Sequence, residues 1–194
     1  MKKIHLFSRF SLWLFALLFM LNLPGLVSSQ ESVAVNPYKV EAAFLRNFAR
    51  YVTWPNQTFT VSDSPWCVGI LGQDPFGDIL EVTFEGRIEK GRSFEIFRAN
   101  MPDELPPCQI VFVAYQDAEK RRAALLKLKD EPVLTVSNAP DFLYEGGIIL
   151  LEAKDRVHMS INLDQARAVS LTIQTKMLEV SQNVIENGVL RKAR

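Results

Sequence analysis

The stretch CQIVFVAY, Cys108 to Tyr115, has no charge, and nothing polar stands between Gln109 and the closing tyrosine. A strand with one wet face alternates apolar and polar residues; this run offers no wet face. It needs cover on both sides, which a largely parallel sheet between helical layers supplies. The neighbouring segments fit that demand. WCVGIL, SFEIFRA and VLTV read as further short strands, and TFTV as an edge strand. PFGDILEVTFEG reads as a helix ending near Gly86, and DAEKRRAALLKLKD as a helix with solvated lysines and arginines. PDFLYE forms a short helical turn before Gly146-Gly147. IILLEA and RVHMSIN then suggest a hairpin across Lys154-Asp155, adding antiparallel edge strands. The alternation predicts an α/β fold: a single three-layer-like domain with a mixed, mostly parallel sheet flanked by helices.

Two helices bracket this pattern. Asn36 offers an N-cap and Pro37 an N1 residue, and the helix YKVEAAFLRNFARYVTW continues until Pro55 stops it. Wound at helical pitch, Val40, Tyr51, Phe44, Phe48, Val52, Leu45, Ala49 and Ala42 fill a wide arc interrupted by Glu41, opposite Lys39, Arg46 and Arg50. One reading is a core helix with a solvated basic stripe. The other gives part of the arc to a partner protein, through Leu45, Arg46, Ala49, Arg50 and Trp54. Near the C-terminus, Asn162 and Gln165 resemble a capping box. They would open one helix with apolar residues at Ala166, Val169, Ile173, Met177, Val180 and Val184.

The first residues are of another kind. Lys2, Lys3 and Arg9 precede the apolar SLWLFALLFMLNL, and small residues follow in LVSSQ. That order predicts a secretory signal peptide over residues 1–29, cleaved after Ser29; the alternative is an uncleaved anchor, for which the apolar run is short against the ~20 residues of a span. Residues 30–36 read as a flexible lead-in, 37–186 as the domain, and 187–194 as a basic tail. Without Lys2, Lys3 and Arg9 the 22 basic residues fall to 19 against 22 acidic ones, a net charge of −3. That balance argues against a nucleic-acid partner, which calls for a basic surface. Export also gives meaning to the only two cysteines, since an oxidising compartment favours pairing. Cys67 and Cys108 each start an apolar run. If those runs are neighbouring parallel strands, the pair forms an intramolecular disulfide; free thiols and a bridge between chains are the alternatives.

Chemistry-bearing motifs are few. In CVGILGQDPFG, Gly72 and Gly77 have the spacing of a phosphate loop, but Asp78 stands where the lysine belongs. Asp74 before Pro75 reads as a helix cap and puts a carboxylate where an anion would sit. The carboxyl ends of the strands could still gather Gln73, Asp74, Gln116, Asp117, Ser137 and Asn138 into a polar rim for a small neutral or cationic ligand. The competing reading makes Asp74, Asp117 and Asn138 caps of helices and turns. His158 is the only histidine after export and alternates toward water. No G-x-S-x-G or clustered metal ligands accompany it, so neither an enzyme, a cofactor nor a metal is expected.

Taken together, VEAAFLRNFARYVTWP, CVGILGQDPFG, CQIVFVA, VLTVSNAPDFLYEGGII and MSINLDQARAVSLTIQTKMLEVS resemble the YfiR-like family of bacterial periplasmic proteins over residues 38–182. The resemblance implies a single α/β domain, often dimeric. It implies a repressor that binds the periplasmic part of an inner-membrane sensor, a diguanylate cyclase in the founding member. Release there comes from an OmpA-type outer-membrane lipoprotein, with cyclic di-GMP signalling and biofilm formation downstream. Cys67 and Cys108 match one family disulfide. The founding member's second disulfide lies near the Gly146-Gly147 segment, where this chain has no cysteine. A small-molecule receptor using the polar rim is the alternative function.

Overall fold

The apolar run lies where its composition requires it. In the computed structural model, which describes residues 36–59, 61 and 63–192, Ile110–Val113 forms a fully buried strand inside an eight-stranded mixed sheet. The strands are β1 (Val52–Thr53), β2 (Trp66–Leu71), β3 (Phe94–Ala99), β4 (Ile110–Val113), β5 (Leu134–Ser137), β6 (Ile149–Ala153), β7 (Val157–Asn162), β8 (Thr172–Ile173), β9 (Asn183–Glu186) and β10 (Val189–Lys192). The helices are α1 (Pro37–Tyr51), α2 (Ile79–Phe84), α3 (Ala118–Leu128), α4 (Leu163–Ala168) and α5 (Thr175–Val180). The large sheet runs β10-β9-β7-β6-β5-β4-β2-β3, and β1 pairs with β8 in a separate two-stranded ladder. β3, β2, β4, β5 and β6 are mutually parallel. The predicted signal peptide, and the lead-in apart from Asn36, lie outside the described residues.

Alternation along the parallel strands divides the core in two. Val68, Ile70, Ile110, Phe112, Leu134, Val136, Ile149 and Leu151 face one layer, with α1, α2 and the C-terminal helices. Cys67, Leu71, Val111, Val113 and Leu150 face the other, with Ala124 and Leu125 of α3 and Phe142 and Leu143 of the following turn. The three-layer α/β architecture is therefore as the sequence predicts.

Several segments differ from expectation. TFTV contributes no strand: Asn56–Thr58 is a 3-10 turn, and Thr60 lies outside the described residues. α1 stops at Tyr51 because Val52 and Thr53 pair with Ile173 and Thr172. The single C-terminal helix is divided into α4, β8, α5 and β9. Ser170 takes a left-handed φ of 61° just before β8, which ends the helical path. The described part of the basic tail turns back into a hairpin: β10 pairs antiparallel with β9 across Asn187 and Gly188, whose φ values are 54° and 71°. Two consecutive positive φ angles suit the tight turns that join hairpin strands. The β6–β7 hairpin exists as predicted but is not the sheet edge, since β9 and β10 continue beyond it.

Candidate functional site

Cys67 on β2 and Cys108, two residues before β4, form a disulfide with Cα atoms 4.5 Å apart. β2 and β4 are parallel neighbours although β3 lies between them in the chain. Gln109 locks the same corner. Its backbone N–H donates to Cys67 O, and its side-chain Oε1 accepts from Cys67 N. The bridge closes a separation of 41 residues; the chain-entropy account assigns such a loop about 4 kcal/mol.

The partner surface expected on the first helix does not survive in its apolar members. Leu45 and Ala49 are 0% exposed and Trp54 is 6% exposed. Leu45 and Ala49 pack into the first layer of the core, and Trp54 turns inward so that its Nε1 donates to Gln109 O. The helix presents those residues to the sheet because they share its most apolar face, so burying them is what holds α1 in place. Arg46 is half-buried. Arg50 is exposed and pairs with Glu89 at 2.8 Å. Further round α1, Phe44, Asn47 and Tyr51 line a groove of about 150 Å³ with Lys176 and Val180 of α5. Met159 lies against the same groove, and Val180 is strongly exposed.

The polar rim is split between two places. Gln73, Gln116 and Asp117 come together in a crevice of about 720 Å³ at the carboxyl ends of β2, β3 and β4. Tyr115, Met101 and Lys120 join them. Asp117 caps α3, accepting from Glu119 N and Lys120 N; those bonds hold its carboxyl below the usual range. Asp74 caps a turn and not a helix, since α2 begins only at Ile79 and the expected start at Pro75 is not helical. It accepts from Phe76 N at 2.7 Å and pairs with Arg98 Nε at 2.7 Å. Ser137 is buried and donates to Val113 O. Asn138 points toward buried Glu41, 3.5 Å from its Oε2. Ser137 and Asn138 therefore lie apart from the crevice, because β5 stands on the far side of β4 from β2.

Glu41 is 1% exposed, and burial pushes its carboxyl up to about 7 against the weaker opposing effect of Asn138. His158 Nε2 lies 2.7 Å from Asp155 Oδ1, with no serine bonded to either among the described residues. Tyr115, Met101 and Lys120 were not legible as site residues, because strand order brings them beside Gln73. For Glu41 the signal was present: an acid alone within an apolar arc.

Among the described residues no group of three or more histidine, cysteine, aspartate or glutamate side chains gathers as a metal site, and no helix is long and apolar enough to cross a membrane. Comparison with curated proteins finds no match to the chain. A sequence model of the YfiR/HmsC-like family matches residues 38–182, from the first turn of α1 to the residue before β9. That match spans most of the chain, including the five mutually parallel strands, so the chain belongs to the YfiR/HmsC-like family.

Proposed function

We propose that this protein is an exported periplasmic regulator that binds and represses the periplasmic part of an inner-membrane sensor such as a diguanylate cyclase. It would thereby lower cyclic di-GMP and restrain biofilm formation. The observation that carries this reading is the family match over residues 38–182. The basic, apolar start of the chain and the Cys67–Cys108 disulfide support export into an oxidising compartment. An OmpA-type outer-membrane lipoprotein is the partner class expected to relieve repression.

Regulation by binding requires different affinities for two states of the sensor. The groove between α1 and α5 is the surface we assign to that contact. Phe44 and Tyr51 provide an apolar lining and Lys176 a cationic one, with Asn47 between the two aromatic positions. Arg46 lies on the far side of α1 from this groove. An apolar side chain flanked by acidic residues suits such a groove. The test is direct binding of the purified, disulfide-bonded protein to the periplasmic domain of a membrane cyclase from the same cells. The reading predicts a saturable complex that weakens when Lys176 is changed to Glu; a folded protein with no affinity for such a domain would contradict it.

A further inference from the structure

The crevice at the carboxyl ends of β2, β3 and β4 lies at the point where the chain reverses its winding. From β2 the chain passes through α2 to β3 on one side; from β4 it passes through α3 to β5 on the other. α2 belongs to one helical layer and α3 to the opposite one. The two outgoing loops therefore part, leaving a gap above the β2–β4 pair. In open α/β sheets this is the recurrent place for a small ligand. Its volume, about 720 Å³, falls within the range of small-molecule sites.

The walls are held firmly. Gly72 has φ +93°, and a Cβ there would lie 2.8 Å from the Tyr115 ring. Its bareness lets that ring lie across the end of β2. The Tyr115 hydroxyl donates to Asn100 O, fastening the ring to the loop after β3. Buried Arg121 binds Glu145 through two 2.8 Å contacts and also donates to the carbonyls of Tyr115 and Gln116. The backbone of the β4–α3 loop is thus fixed while the Gln116 side chain stays exposed.

Charge decides what such a site can take. The objection to an anion was Asp74, but that carboxylate is turned to Arg98 and does not line the crevice. Asp117 turns one oxygen, Oδ1, to the two backbone N–H groups at the start of α3, and Asp103 lies 3.4 Å from Lys127. The Lys120 ammonium has no ion-pair partner among the described residues, and neither do the Gln73 and Gln116 amides have hydrogen-bond partners there. An ammonium and two amides present donors to a planar anion, beside the apolar surface of Met101 and Tyr115. We infer that this crevice binds a small organic carboxylate, with its anionic head toward Lys120, Gln73 and Gln116 and its apolar body against Met101 and Tyr115.

This site stands apart from the α1–α5 groove and does not depend on the regulatory reading, so it is tested without a partner. Acetate, butyrate and phenylacetate, with phenylacetamide as uncharged control, are titrated by NMR into the periplasmically expressed, disulfide-bonded protein. The expected result is binding that strengthens with the apolar body and shifts the amides of Gln73 and Gln116. Phenylacetamide should bind at least about fivefold more weakly, and Lys120→Glu should weaken phenylacetate by a similar factor. Gln116→Ala, a change at an exposed side chain, should weaken it less, with the thermal midpoint of both variants unchanged. Silence across the whole series would overturn the proposal. So would equal binding of phenylacetate and phenylacetamide, affinity indifferent to Lys120→Glu, or shifts confined to the α1–α5 groove.

Discussion

Glu41 is the residue whose environment departs furthest from its chemistry. It sits in the first layer of the core, 1% exposed, with Asn138 as its one polar contact among the described residues, at 3.5 Å. Its carboxyl titrates near 7 in the fold, against 4.5 ordinarily, because burial disfavours the charged form. The folded state therefore keeps a proton that the unfolded chain releases. The contribution of Glu41 to stability is greatest below about pH 4.5, falls as pH rises toward 7 and levels off above it, for a total on the order of 3 kcal/mol. Urea unfolding of the wild type and Glu41→Gln at about pH 5 and about pH 8 checks this. The wild type should lose stability relative to the variant between those conditions; parallel curves would show that Glu41 does not titrate in the fold. The sequence showed this acid within an apolar arc, but not that Asn138 would be its neighbour, since that depends on where β5 ends. Arg121 and Glu145 were less legible still. Arg121 reads as one of several solvated cations on α3, yet this pair is buried at 7% and 6% side-chain exposure. It ties α3 to the segment before Gly146-Gly147, where no disulfide can form.

Among the elements, α1 separates support from recognition. Leu45 and Ala49 face the sheet, while Phe44, Asn47 and Tyr51 line the groove with α5. Leu45→Ala should cost about 2–5 kcal/mol of stability, and any loss of partner binding should follow from unfolding. Asn47→Arg, which crowds the groove mouth, should leave the unfolding midpoint nearly unchanged and weaken sensor binding. Calorimetric unfolding and binding measured on both variants distinguish the roles, and a stable Leu45→Ala protein would contradict the division. The start of α1 was legible because its signals are local: Asn36 accepts from Tyr38 N and Pro37 follows, as the cap reading requires. Its end was not, because Val52 and Thr53 leave the helix to meet Thr172 and Ile173, a pairing no local pattern announces. The same pairing broke the predicted C-terminal helix, although Asn162 does cap α4 by accepting from Gln165 N. Asn187-Gly188 was a readable turn signal that a basic-tail reading passed over.

At the scale of the whole molecule, the buried parallel strands and the disulfide between neighbouring strands were both legible, because each follows from one run of residues and its compartment. The crevice was half legible. Strand-end logic named Gln73, Gln116 and Asp117, but strand order decides that β4 lies beside β2 and that Ser137 and Asn138 fall elsewhere. The α1–α5 groove and the crevice at the strand ends lie on separate parts of one domain. The chain belongs to the YfiR/HmsC-like family, and repression of a membrane cyclase is the role we propose for it. The most direct measurement is intracellular cyclic di-GMP in cells lacking the gene, in cells complemented with the wild type, and in cells complemented with Asn47→Arg. We expect a rise on deletion, restoration by the wild type and failure of Asn47→Arg to restore despite normal periplasmic levels. Cyclic di-GMP that stays the same in all three strains would contradict it.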